Sequence, residues 1–538
     1  MKKRMKKKWI KGLVTALCLQ TMFMGNSVQA AEGTSNTCYE IFVYSFNDSD
    51  GDGIGDLNGV SHKLDYINDG NESTQEDLGC DMIWLMPVMP STTYHKYDVM
   101  DYMDIDPEYG TLDDFKSLVS MCHERGIQVI IDLPMNHSSS KHPWFLKASE
   151  YLQSLPEGQE PDSEKCPYVD YYNFSRENQA GYNQLEGTSW FYESRFWSEM
   201  PDLNLGNPLV RQEFEKIVRF WQELGVDGFR LDAAKEYYSD MTDKNVEVLT
   251  WFNQMVKTNK PDAYIVAEVW SDMDTYGKYY ASGIASCFDF AFAGNEGIIA
   301  DTVKKMSSYN ASSYGKALIT LQNTLEKYGE DPVDAPFYTN HDMARGAGYY
   351  SGEDSESQTK IAQAMNLTMS GQAFLYYGEE LGMKGAGKDE NFRAPMYWST
   401  DKNAEGMCNG PEAMDTVKMK YGSLEDQEKD EASVYQYVKA ALHLREKYPE
   451  IQMGKVTFEE DLSGDNICTI RKSLDDSEIL LVYNISGEQE AVDLTGVSLN
   501  QKTQGNISLE DILVGKEVAP TLKEGILQMP AYSIAVLR

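Results

Sequence analysis

The sequence predicts an α/β protein: a (β/α)8 TIM barrel carrying an inserted domain and a C-terminal antiparallel β-sandwich domain. Three observations carry that reading. Eight short, nearly continuous apolar runs alternate with amphipathic helical stretches over roughly 400 residues, as parallel strands buried on both faces and their crossovers do. A doubly wound open sheet would show a glycine-rich phosphate turn after its first strand, and none follows "YEIFVYSF". Beyond "EASVYQYVKAALHLREKYPE" the helical period gives way to short strands and turns.

Taken in order, residues 1–30 read as an export signal: "MKKRMKKKWIK", a short apolar stretch, and "SVQA" before a cut after Ala30. The apolar stretch holds Gln20 and Thr21 and falls short of the roughly 20 apolar residues of a membrane span. A soluble, secreted, extracellular protein is expected, with no membrane contact once the signal is removed. Removing those residues takes away seven basic groups and no acid, so the formal charge of −37 becomes −44. So acidic a chain is repelled by nucleic acid and by anionic membranes, which leaves a neutral partner such as a sugar. A monomer is expected.

The strand candidates are "YEIFVYSF", "CDMIWLMPV", "IQVIIDLP", "VDGFRLDAA", "AYIVAEVW", "CFDFAF", "APFYTNHD" and "AFLYYGEE". Between them, "TLDDFKSLVSMCHERG" places Phe115, Leu118, Val119 and Cys122 on one helical face, with Thr111 as cap and Gly126 as stop. "NPLVRQEFEKIVRFWQELG" repeats the stripe with Phe214, Ile217, Val218 and Trp221. The barrel is thus expected in two parts, 31–137 and 206–451. The aperiodic, aromatic-rich 138–205 would be a functional insertion, and 452–538 the β-sandwich. No C-x-x-C pair argues for zinc, and Cys80, Cys122 and Cys287 read as small core residues.

Active-site groups of such a barrel come from the C-terminal strand ends. There the sequence places Asp132, Asn136 and His137; Arg230 and Asp232; Glu268; and Asn340, His341 and Asp342. Like charges gathered in one pocket cost stability, and convergence from four strands points to chemistry. Glycoside cleavage fits, since it needs a carboxylate nucleophile and a carboxylic acid. No Ser or Cys nucleophile stands beside a base, and histidines that neighbour Asn make a poor metal pattern.

Four segments, "DLPMNH", "GFRLDAAKE", "AEVW" and "FYTNHD", resemble in order and spacing the four sequence regions of the α-amylase superfamily, glycoside hydrolase family 13. The resemblance implies a barrel A, an inserted domain B, a β-sandwich domain C and retention of the α-anomeric configuration. By position it implies Asp232 as nucleophile, Glu268 as general acid and then base, and Asp342 as the third carboxylate, gripping sugar hydroxyls. Arg230 would keep Asp232 ionised. His137 and His341 would bond hydroxyls of the cleaved sugar, Tyr97 would form the platform beneath it, and Asp98 would hold its loop. "MPDLN" and Ala233-Ala234-Lys235 resemble secreted α-amylases intermediate between the oligo-1,6-glucosidase and neopullulanase branches, with Lys235 as a substrate contact. This implies a secreted endo-hydrolase of α-1,4 bonds in starch and maltooligosaccharides. The alternatives are a neopullulanase- or oligo-1,6-glucosidase-like enzyme, a transglycosylating one, or a non-catalytic glycan-binding protein. The last would typically have lost catalytic carboxylates, and all three remain. The chain departs from the family pattern at Glu236, where many amylases carry His, and at Lys96, where Gly is common. In domain B, Trp190, Phe191, Tyr192 and Trp197 are candidates for stacking on sugars or for that domain's core.

"NDSDGDGIGDLNG" looks like an EF-hand loop, but the bidentate Glu required at position twelve is Gly59, and a strand precedes it. The loop belongs to the first βα connection, where oligo-1,6-glucosidase-like members carry a metal. Side chains of Asp48, Asp50, Asp52 and Asp56 with the Ile54 carbonyl would form an oxygen cage for a structural Ca²⁺.

Overall fold

In a computed structural model the protein is described for residues 37–538, apart from 72, 240, 307, 500–506 and 516–517. The export segment expected at 1–30 lies outside the described residues.

Seven strands form one parallel, curled sheet: β1 (Thr37–Ile41), β2 (Met82–Leu85), β3 (Gln128–Leu133), β4 (Gly228–Leu231), β5 (Tyr264–Ala267), β6 (Ser286–Cys287) and β7 (Ala373–Tyr376), in the order β7-β1-β2-β3-β4-β5-β6. The expected strand "APFYTNHD" does not form a ladder. It touches its neighbours at single parallel bridges, Phe288 to Ala335 and Phe337 to Phe374. Pro336 between them has no N–H to give, which interrupts regular pairing but leaves the segment in place to close the barrel. "YEIFVYSF" is likewise shorter than read, since the chain leaves β1 at Ile41 and turns through a 3-10 stretch at Val43–Ser45.

Strand parity sorts the core. Cys38, Met82, Trp84, Ile130, Tyr264, Val266 and Phe374 fill the lumen, while Ile41, Ile83, Leu85, Val129, Ile131, Phe229 and Ile265 pack outward against the helices. The same parity turns Glu40, Asp132 and Arg230 inward, one level above the apolar filling. Helices α1 (Leu112–Glu124) and α2 (Pro208–Glu223) bury the predicted stripes; Thr111 caps α1 in a capping box with Asp114.

Segment 138–205 leaves the barrel after β3 and carries its own three-stranded sheet, Phe174–Ser175, Phe191–Glu193 and Tyr182–Gln184. At the C-terminus, the five-stranded sheet Lys455–Phe458, Ile467–Leu474, Ser477–Asn484, Ser533–Leu537 and Leu509–Val514 faces a second, three-stranded one. Leu480, Val482, Leu527 and Met529 close the space between these sheets, whereas Ile479, Leu481 and Tyr483 point the other way into the barrel's helical layer. The seven cysteines in the described residues are buried and unbridged.

Candidate active site at the barrel mouth

Arg230, fully buried on β4, organises the centre. Its Nη1 lies 3.0 Å from Asp132 Oδ1 and 2.5 Å from Asp232 Oδ1, and its Nη2 lies 3.1 Å from Glu268 Oε2. Three carboxylates from three strand ends therefore share one fixed cation. Burial raises Asp132 and Glu268 to about 7 each, against the pull of Arg230. Near neutral pH, Glu268 can begin a reaction holding a proton.

The turn after Asp232 is strained in a useful direction. Ala233 adopts φ +47°, unusual for a residue with a side chain, and its N–H donates to Glu268 Oε2 at 2.8 Å. The acid is thereby tied to the residue next to Asp232.

One wall of the mouth is a hydrogen-bonded chain. Tyr97 Oη lies 2.7 Å from His341 Nε2 and donates to Asp132 Oδ2 at 3.1 Å; the Tyr97 and His341 rings stack with centroids 5.6 Å apart. Asp342 Oδ2 lies 3.0 Å from His341 Nε2, and Asp342 Oδ1 accepts from Arg393 at 2.8 Å. Burial alone would raise Asp342, but His341 and Arg393 hold it well below the usual carboxylate range. His137 is buried and held neutral by that burial, with a lowered pKa; its Nε2 has no hydrogen-bond partner among the described residues. Lys235 and Glu236 are half-buried on the turn beyond Asp232.

Sequence reasoning missed three neighbours. Glu40 on β1 touches His341 Nδ1 at 2.5 Å. Arg393 reaches Asp342 and also donates to Tyr94 Oη at 3.0 Å. His95 lies edge-on to Tyr94 and accepts the Tyr97 N–H; burial, with Arg393, lowers it to about 4. A charged residue inside an apolar strand was the available signal for Glu40; the other two lie in irregular loops.

The departures from the family pattern acquire reasons. Lys96 sits at φ +65°, a conformation that favours glycine, and its buried ammonium pairs with Asp106 at 2.9 Å and with Glu108. Asp98 accepts from the hydroxyls of Ser91, Thr92 and Thr93 and pins the Tyr97 loop. At the junction with segment 138–205, Asn136 donates to Asp202 Oδ1 at 3.0 Å, and Glu236 adds to the repulsion that, after burial, raises Asp202 to about 7. Among the segment's aromatics, Trp190 and Tyr192 are core, Trp190 lying under Arg176 at 4.1 Å. The exposed ring at the mouth is Phe196, 5.5 Å from His137, with Trp197 exposed next to it. Two residues beyond Glu268, exposed Trp270 stacks on Phe290 with 4.9 Å between centroids.

In the first βα loop, Asp48, Asp50 and Asp56 can each bring an oxygen within 4.8 Å of the others. Asp52 stands outside that group and accepts the Ile54 N–H at 2.7 Å. The donor set is all hard oxygen, which fits Ca²⁺ and not zinc.

Residues 40–454 match the family of the α-amylase catalytic domain. The chain is similar to α-amylase 3 of Dictyoglomus thermophilum, 38% identical over 83% of this chain and 84% of that one. It is similar to a 4-α-glucanotransferase of Thermotoga neapolitana, 32% identical over 68% of this chain and 77% of that one. Among solved structures it resembles Eubacterium rectale Amy13B with TM-score 0.90 and 49% identity, covering 94% of this chain and 96% of that one.

Proposed function

The chain belongs to the α-amylase catalytic-domain family of glycoside hydrolases, and on that premise we propose that it cleaves α-1,4-glucosidic bonds within starch and maltooligosaccharides, with retention. The observation that carries the reading is the shared guanidinium: Arg230 grips Asp232 while Glu268, raised to about 7, lies on its other nitrogen. Two carboxylates on adjacent nitrogens of one arginine are closely spaced, which favours direct attack; an attacking water between them would need about 6.5–9.5 Å.

In the first half-reaction Asp232 attacks the anomeric carbon as Glu268 gives its proton to the departing oxygen. The bond to the leaving sugar breaks and an ester to Asp232 forms. Glu268, now a carboxylate, takes a proton from water, whose oxygen displaces Asp232 and restores the α-anomer. Asp342 and His137 hold hydroxyls of the distorted ring, and Tyr97 supports its face. Lys235 is proposed to contact the leaving side.

A second reading, transfer of the glycosyl group to a sugar in place of water, is favoured by the named glucanotransferase relative and by exposed Trp270 beside the acid. Calcium in the first loop, with Asp48, Asp50 and Asp56 as side-chain ligands, is proposed to be structural. Export is proposed from the pattern of residues 1–30.

The test is the product profile from soluble starch, pullulan and panose. A rapid fall in iodine staining with release of maltooligosaccharides supports internal α-1,4 cleavage. Products longer than the substrate from maltotriose support transfer, and intact starch after prolonged incubation overturns the proposal.

A further inference from the structure

Both ring nitrogens of His341 face carboxylates. Nδ1 lies 2.5 Å from Glu40 Oε1 and Nε2 lies 3.0 Å from Asp342 Oδ2. A neutral imidazole leaves one nitrogen as a bare lone pair, so one of these contacts would set lone pair against carboxylate. Only the imidazolium satisfies both. Tyr97 is compatible with that proton count: its hydroxyl can donate to Asp132 Oδ2 at 3.1 Å while its oxygen accepts from His341 Nε2 at 2.7 Å.

We propose, building on the reading of the site as an α-glucan hydrolase, that Glu40 is a positioning residue for the reaction: its carboxylate, inside the barrel on Nδ1 of His341, holds that ring as an imidazolium whose other N–H fixes Asp342 and Tyr97 against the sugar. Glu40 touches neither substrate nor the reacting atoms in this account. It acts through His341.

Among the described residues, the carboxylate in contact with His341 Nδ1 is that of Glu40. Asp342 is its chain neighbour, Asp132 from β3 reaches it through Tyr97, and Trp84 from β2 packs edge-on with ring centroids 5.6 Å apart. Arg230 from β4 and Arg393 from the loop after β7 are cations that would expel a proton. Two anions are therefore needed to keep one on the ring. The electrostatics agree: burial alone would lower His341, yet Asp342 and Glu40 together raise it to about 9. Burial raises Glu40 itself, while His341 and Arg230 pull it back.

The test is Glu40→Gln, which keeps size and an acceptor for the Nδ1 proton but removes the charge. Its first readout is independent of turnover. In histidine-labelled protein, with His341 assigned by its own substitution, the imidazole resonance of His341 should titrate at least about one pH unit lower in the variant, a tenfold weaker hold on the proton. The second readout is the ratio of wild-type to variant kcat/KM on maltoheptaose, which should rise between pH 6 and pH 8, about twofold for a one-unit drop of His341 from about 9 and about ninefold for a two-unit drop. Both proteins share the Glu268 ionisation, so it cancels in that ratio. An unmoved titration or a pH-independent ratio overturns the proposal. Wild-type protein inert on every α-glucan would instead sink the functional reading, and the resonance would still judge Glu40. Should the Gln variant not fold, Glu40→Asp retracts the charge by one methylene, and an unshifted His341 titration there also overturns it.

Discussion

The molecule gathers acids in two places and satisfies them by different means. In the first loop, Asp48 accepts the N–H groups of Asp50, Gly51 and Gly53, and Asp56 accepts those of Ser49 and Gly59. The backbone of a tight turn supplies the partners, and Asp50 remains exposed. At the barrel mouth, Asp132, Asp232 and Glu268 meet a guanidinium buried beneath them. Turn amides are local and need nothing from the rest of the fold, whereas a shared guanidinium requires three strands to be in register. The first arrangement suits a site that holds a hard cation; the second suits one in which proton affinity must be set against a fixed charge.

The comparison breaks most sharply at the mouth. Glu268→Gln should lower kcat on maltooligosaccharides by about 10²–10⁴-fold, and Asp232→Asn by at least as much, with unchanged melting; activity surviving in either removes its assigned role. In the wild type, Glu268 raised to about 7 must be protonated to act, so kcat/KM should fall as pH rises through about 7 and hold below it. Next, Arg230→Met should cost about 3–5 kcal/mol in urea unfolding, because it strands buried carboxylates without their cation. Chelation acts on the other cluster. Removing Ca²⁺ present at about a hundredfold over its Kd should withdraw about 2.7 kcal/mol, seen as a lower melting temperature with little change in kcat just below it; a curve indifferent to EDTA counts against the loop ligands. The smallest effect expected is from dithiothreitol, which should leave melting unchanged, since the seven thiols of the described residues are buried and unbridged.

Much of this was legible because barrels are periodic. Apolar runs gave the strands, and strand ends gave Asp232, Glu268, Asp342 and both histidines. What escaped lies where periodicity stops. Arg393 and His95 arrive on irregular loops whose path no local pattern dictates. Glu40 was hidden differently, inside an apolar run where position alone says lumen but not which partner waits across it. The pairing failure at "APFYTNHD" was foreshadowed by Pro336, and Lys96 by the glycine it replaces. Four acids and the Ile54 carbonyl spaced along the first loop suggested a cage; Asp48, Asp50 and Asp56 come together there, and Asp52 lies outside that group with its Oδ1 accepting the Ile54 N–H.

The stave from Ala335 to Phe337 joins the barrel through isolated bridges on either side, while the other walls carry continuous ladders. His341 and Asp342 hang from the end of that stave. These two residues are therefore mounted on the wall with the fewest regular ties, where amide hydrogens should exchange earliest around the ring. On heating, the enzyme would lose its grip on substrate through this seam before it loses its fold.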